Sequence, residues 1–264
     1  MASDDLNFTN RMFTTNTVPL RYLVIPKCGC TFIKNLLWRL EHGDNYANQL
    51  RVHDSDEDFL RAGQLGLTSD DIRREIHAFT VVRNPVDRFY SLYTDKVVGK
   101  GYLKYVPLRA TLAEKYGLNT NAVTADEHSA NCDILIDWLT RNLEDEVDLP
   151  KEAHWTPQTY RWNLMRRMDL KLLLLSDLNT QITALAGDII PILPNLLQEL
   201  ESNKSKKPVS KGDVITRELR KKINKAYGSD RKLFQKTRDA WSKLDVEATK
   251  NAQVPRFSAI FGDG

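Results

Sequence analysis

The strongest constraint on the fold is a short strand that ends in proline and passes within a few residues into an amphipathic helix. Arg21-Tyr22-Leu23-Val24-Ile25 is a β-type run closed by Pro26, after which Phe32, Ile33, Leu36, Leu37 and Leu40 recur at helical spacing. The order returns at Ala78-Phe79-Thr80-Val81-Val82, where Asn84 suits an N-cap and Pro85 the first helical position before Val86, Phe89, Tyr90 and Tyr93. A third unit starts from the near-continuous apolar run Leu170 to Leu175, with Asp177 placed to cap the next helix. Strands alternating with helices predict an α/β fold: a central parallel sheet flanked by helices in a P-loop-like, three-layer arrangement.

Between the second and third units, Cys132 to Leu139 reads as a packing helix, with Cys132 an apolar position on it, and the polar stretch Asn119 to Asn131 reads as a loop. Residues 201–250 hold fifteen Lys/Arg against seven Asp/Glu and include a basic loop, Lys204 to Lys211. Two helices are predicted to follow, from about Asp213 to Tyr227 and from about Asp230 to Leu244. The turn formers after Val254 give no helix or strand signal. The expected organisation is an N-terminal extension over 1–20, a single domain over 21–250 and a tail over 251–264.

Charge narrows the functional classes. Lys+Arg 38 against Asp+Glu 35 leaves a net charge of +3, so no global field marks a nucleic-acid binder and any recognition of anions must be local. No apolar run reaches the roughly 18 residues of a membrane span. The start, MASDDLNFTNRMFTTN, lacks the cationic and apolar regions of a signal peptide, and the chain reads as soluble and cytoplasmic. Three cysteines, Cys28, Cys30 and Cys132, are too few for a disulfide scaffold and have no partner cluster for zinc.

Local anion recognition has two candidate positions. Pro26-Lys27-Cys28-Gly29-Cys30-Thr31 joins the first strand to its helix, where unpaired N–H groups and the positive end of the dipole bind phosphate or sulfate. Gly29 permits close backbone approach, Thr31 offers a hydroxyl, Lys27 adds a mobile charge, and Cys28 and Cys30 are small enough not to block the anion. The Walker A pattern GxxxxGK[ST] is absent. Arg83 leaves the second strand and Ser91 lies two helical turns along; Asp87 is the structural alternative as a partner for Arg83. Two anion-binding strand ends in one sheet suit a nucleotide phosphorylated at both its 5′ and 3′ positions better than a triphosphate.

These residues resemble the sulfotransferases that use 3′-phosphoadenosine 5′-phosphosulfate, and most closely the carbohydrate enzymes of the chondroitin and dermatan type. That family's PK-small-GCT-x-x-K matches Pro26 to Lys34, and its VR-[DN]-P-x-x-R-x-x-S-x-Y-x-x-K matches Val82 to Lys96. His154-Trp155-Thr156-Pro157-Gln158 resembles its HWxPQ segment, and Tyr227, Asp230, Leu233 and Phe234 resemble its Y-x-x-D-x-x-LF helix. Two departures stand out: the membrane anchor of the family's Golgi members, and the cysteine pair many carry after HWxPQ, for which Thr159 to Met168 supplies no cysteine.

The resemblance implies sulfuryl transfer to an acceptor hydroxyl, of a saccharide or, alternatively, a hydroxyl or amine of a small secondary metabolite, without metal and with adenosine 3′,5′-bisphosphate as product. It assigns the 5′-phosphosulfate to Lys27, Cys28, Gly29, Cys30, Thr31 and Phe32, and the 3′-phosphate to Arg83 and Ser91. Lys211 belongs to the basic loop that would close over the cofactor. Lys27 also acts on the bridging oxygen. His53, between the two donor positions, is favoured as general base, with His154 positioning the acceptor or serving as base instead. His42 and His128 read as solvated and His77 as packed. Competing classes are a nucleotide kinase and a non-catalytic anion-binding module.

Overall fold

A computed structural model describes residues 8–49, 52–99, 102–201, 209–245 and 248–262. The described residues divide between two compact units, one from 1–83, 158–204 and 233–264, the other from 84–157 and 205–232.

The first unit is built on a four-stranded sheet in the order β1 (Met12–Phe13), β2 (Arg21–Leu23), β3 (Ala78–Val82) and β4 (Lys171–Leu174). β2, β3 and β4 run parallel, with Tyr22 opposite Phe79 and Val82 opposite Leu174; β1 adds an antiparallel edge, Met12 opposite Leu23. The first strand is shorter than the predicted 21–25, because Val24 and Ile25 already belong to the turn that Pro26 begins. Burial on both faces explains the continuous apolar runs: Tyr22, Leu23, Phe79, Val81, Leu172 and Leu173 are all fully buried. The Tyr22 and Phe79 rings stack at 5.2 Å across the β2–β3 pair.

Helices complete the α/β architecture. Leu178–Ala186 packs on β4, and Leu193–Glu201 packs on Cys30–His42. Asp177 occupies the N-cap of Leu178–Ala186, yet its carboxylate makes no cap bond and accepts instead from the Ser176 hydroxyl at 2.7 Å. The C-terminal stretch, which gave no helix signal, holds the helix Phe257–Phe261. Its start is fixed by the Phe257 N–H on the Leu170 carbonyl at 2.9 Å and by Phe257 and Phe261 packed edge-on against Trp162. These are tertiary contacts, so no local pattern announces them.

The second unit has its own apolar core, including Phe89, Tyr90, Leu135, Trp138, Trp155 and Ile223. Pro85–Leu92 and Ala125–Asp145 both pack against Arg217–Ala226. Asn84 caps Pro85–Leu92 as its sequence predicts, its Oδ1 accepting from the Val86 N–H at 2.9 Å. The predicted loop up to Asn131 is shorter than expected. Thr124 and Glu127 form a reciprocal capping box, and the helix begins at Ala125. His128, expected in solvent, is therefore buried on that helix, with its Nδ1 2.6 Å from the Tyr93 hydroxyl. Cys132 is buried on the same helix, as an apolar position would be. The helix predicted from Asp213 is two, Lys211–Val214 and Arg217–Ala226, because Thr216 caps a new start through the Leu219 N–H.

Leu173→Ala in β4 tests how much the central sheet contributes. Leu173 is completely buried. Its truncation is expected to lower unfolding free energy by about 2–5 kcal/mol, measured by denaturant titration.

Candidate functional site

The turn between β2 and the Cys30–His42 helix has a defined backbone. The Cys28 N–H bonds the Ile25 carbonyl at 3.2 Å, Lys27 sits at φ 66° and Gly29 at φ 81°. Gly29 is the N-cap, and its carbonyl accepts from the Ile33 N–H at 3.1 Å. No side chain caps this end, so the N–H groups of Cys30, Thr31 and Phe32 have no partner within the helix. The position requires glycine: any other residue would be strained at that φ, and a Cβ would lie 2.6 Å from Leu175 Cδ1. An uncapped helix start with a half-buried lysine beside it is a concentrated positive potential, fitted to an anion.

Side chains from elsewhere in the first unit converge on this turn. His53 Nε2 lies 3.1 Å from Thr31 Oγ1 and 3.4 Å from Cys30 Sγ. Lys34 holds the segment carrying His53: fully buried, its ammonium donates to the Val52 carbonyl at 3.2 Å, pairs with Asp56, and lies over the Phe13 and Phe59 rings. Burial lowers the Lys34 pKa, and Asp56 opposes that by favouring the charged form. Arg83, at the end of β3, reaches the loop directly, with Nη1 donating to the Lys27 carbonyl at 2.7 Å. The structure thus brings together Lys27, Cys28, Cys30, Thr31, His53 and Arg83. Phe32 packs its ring against the first unit's core.

Ser91, Lys211 and His154 belong to the second unit. Asp87 and Ser91 are four residues apart on Pro85–Leu92, hence on one face. Asp87, the sequence's alternative partner for Arg83, pairs with the Lys211 ammonium. Most of the basic loop, residues 202–208, lies outside the described residues. His154 Nδ1 is 2.8 Å from Glu152 Oε1 and 3.0 Å from the Tyr105 hydroxyl. Burial pushes the Glu152 carboxyl up, but His154 and Lys104 outweigh it and hold it down at about 2.

Other motif residues bond one another within the second unit. Arg88 is buried and donates to the carbonyls of Thr156 at 2.9 Å and Ala153 at 3.2 Å, with Asp230 Oδ2 at 3.8 Å. The Tyr227 hydroxyl donates to the Trp155 carbonyl at 2.8 Å. Trp155 is buried, its indole N–H donating to Asn142 Oδ1 at 2.9 Å and its ring edge-on to Trp138. Sequence reasoning gave no role to Lys34, Glu152 or Gln158. Lys34 and Gln158 had a usable signal in their places in the PK-small-GCT-x-x-K and HWxPQ matches; Glu152 had none. Among the described residues no three His, Cys, Asp or Glu side chains form a metal-holding group, and no helix is long and apolar enough to cross a membrane.

A mostly parallel sheet has an uncapped helix N-terminus after one strand and an arginine at the end of the next, the place where open α/β sheets carry their ligands. The model of the sulfotransferase family matches residues 10–237, and the chain belongs to that family. Membership makes sulfuryl transfer its general chemistry. No curated protein and no solved structure matches the chain.

Cys30 provides a direct probe of the loop. Burial pushes its thiol up, but the His53 hydrogen bond and charge, the Lys27 charge and the Lys27 N–H together bring it down to about 7. Alkylation at Cys30, followed by peptide mass spectrometry, is expected to accelerate with a midpoint near pH 7, whereas burial drives Cys132 upward and leaves it inert. His53→Ala removes the main opposing influence, so the Cys30 midpoint moves to higher pH.

Proposed function

We propose that the protein transfers the sulfuryl group of 3′-phosphoadenosine 5′-phosphosulfate to an acceptor hydroxyl, in its simplest reading that of a saccharide. The observation that carries this is the Gly29-capped helix start, whose open N–H groups lie next to Lys27 and Thr31, with Arg83 bonded to the same loop. The loop fits the donor's 5′ end by its chemistry: free N–H donors, a hydroxyl, a cation and no acidic side chain between Pro26 and Lys34. Arg83 is the candidate for the 3′-phosphate, because its planar guanidinium suits phosphate geometry and stands at the end of the strand next to the loop. The roles of Ser91 and Lys211 at that phosphate, and of His154 toward the acceptor, rest on the sequence pattern.

The donor, when bound, supplies an activated sulfuryl group on a phosphate leaving group. Lys27 neutralises negative charge as it develops on that leaving oxygen, and the helix N–H groups hold the phosphate without reorganising. A histidine accepts the acceptor's hydroxyl proton. His53 is the first-unit candidate, its Nε2 already at hydrogen-bond distance from Thr31. His154, held at Nδ1 by Glu152, is the second.

Thermal unfolding with adenosine 3′,5′-bisphosphate against ATP plus magnesium tests the donor. A selective rise with the bisphosphate is expected, worth about 2.7 kcal/mol at a hundredfold excess over Kd. Selective stabilisation by ATP points to a kinase and ends the proposal. Lys27→Ala is expected to lower kcat by about 10²-fold or more, read as release of the bisphosphate, with a much smaller loss of bisphosphate affinity. Unchanged turnover removes Lys27 from the chemical step.

A further inference from the structure

We propose that Gln158 is a positioning residue that locks the Pro26–Thr31 loop to the end of β3, presenting both donor-binding strand ends in one preset arrangement. This rests on the donor reading above, in which those two strand ends hold the two phosphates.

Gln158 is completely buried, and its amide is used at both atoms. Oε1 accepts from the Arg83 N–H at 2.9 Å and from the Cys28 thiol at 3.1 Å, while Nε2 donates to the Arg83 carbonyl at 2.8 Å. The partners dictate the amide's orientation, since the Arg83 N–H needs an acceptor and its carbonyl a donor. The last ladder pair between β3 and β4 is Val82 with Leu174, and beyond it β4 gives way to the turn Leu175–Asp177. The Gln158 side chain thus supplies to Arg83 what a neighbouring strand would have supplied.

The circuit closes through the loop. Arg83 Nη1 donates to the Lys27 carbonyl at 2.7 Å, Lys27 is bonded covalently to Cys28, and Cys28 returns to Gln158. Lys27 holds a left-handed φ of 66°, a conformation that a non-glycine residue keeps only where its surroundings fix it. Of the uncharged side chains, only an amide both accepts and donates from one planar end. Leucine would remove both Gln158 hydrogen bonds from the Arg83 backbone, and glutamate at neutral pH would set a carboxylate against the Arg83 carbonyl.

Calorimetric binding of adenosine 3′,5′-bisphosphate to the full chain and to Gln158→Leu and Gln158→Glu tests the proposal without needing the acceptor. Absence of binding by the unsubstituted protein would refute the donor reading rather than this one. Where the unsubstituted protein binds, Gln158→Leu is expected to unfold cooperatively yet raise Kd about tenfold or more. Gln158→Glu is expected to bind weakly at about pH 8 and to approach the unsubstituted protein by about pH 5.5, because a protonated carboxyl restores one acceptor and one donor. A residue that merely fills space gives no such pH-dependent recovery. Wild-type affinity in both variants, or a Gln158→Glu deficit independent of pH, overturns the proposal. Should Gln158→Leu fail to fold, the pH series of Gln158→Glu decides.

Discussion

Parallel pairing of β2 with β3 is the constraint from which the first unit's site follows. Parallel strands run out toward the same end of the sheet: Leu23 stands opposite Thr80, about 5 Å away, and β3 continues two residues further to Val82, so both segments leave from that end. Ligands of open α/β sheets bind at carboxyl strand ends for this reason. The pairing makes it possible for Arg83 to reach the Lys27 carbonyl, and for one buried amide to touch both segments. An antiparallel arrangement would have sent the two loops to opposite edges of the sheet. The second strand need not itself bind anything: its contribution is to fix where its successor residue stands.

What was readable in the sequence follows from the range of each signal. The strand-to-helix units were legible because their information lies within a few residues: Pro26 ending a run, Asn84 and Pro85 opening a helix, continuous apolar runs giving way to helical spacing. The turn between strand and helix at Pro26 to Thr31 was legible for the same reason. The capping box at Thr124 and Glu127 was equally local, and reading it would have placed His128 on a helix instead of in solvent. By contrast, Lys34 with Asp56 and Gln158 with Arg83 join residues 22 and 75 positions apart. No periodicity encodes such pairs, since each partner alone looks like an ordinary polar residue. The family pattern marked Lys34 and Gln158 as positions, but a pattern gives no partner and hence no role.

The two cysteines of the loop show how a correct argument from size can stop too early. Small side chains are indeed compatible with an open helix N-terminus, but each thiol has a further task. Cys28 is buried and donates to Gln158, so it belongs to the frame behind the loop. Cys30 is half-buried next to His53 and Lys27, so its sulfur shares the positive field intended for the ligand. A thiol held at about 7 in that field is a reactive group, and any anion drawn to the same helix start would compete with the thiolate for the same potential. Occupancy of the loop and reactivity of Cys30 should therefore be coupled, each suppressing the other.

The same distinction applies to the cations of the matched motifs. Counting them suggests a site crowded with positive charge, yet Lys34, Arg88 and Lys96 are buried. Lys34 bonds the Val52 carbonyl and Asp56; Arg88 bonds carbonyls of the 153–156 segment and faces Asp230; Lys96 pairs with Asp95 under the Tyr102 and Tyr105 rings. Burying a charge is costly unless carboxylates and carbonyls replace its water, and a hydrophobic residue of equal volume would often stabilise more. What an apolar residue cannot do is hold irregular backbone, whose carbonyls lack the ladder partners of a helix or strand. Lys34 and Arg88 sit where such backbone runs: at 52–56 by His53, and at 153–156 around His154. Lys27 and Arg83, half-exposed at their strand ends, are left as the first unit's candidates for the ligand's charge. The buried Lys34 and Arg88 give the histidine-bearing segments a fixed shape, whereas Lys27 and Arg83 keep part of their surface in solvent.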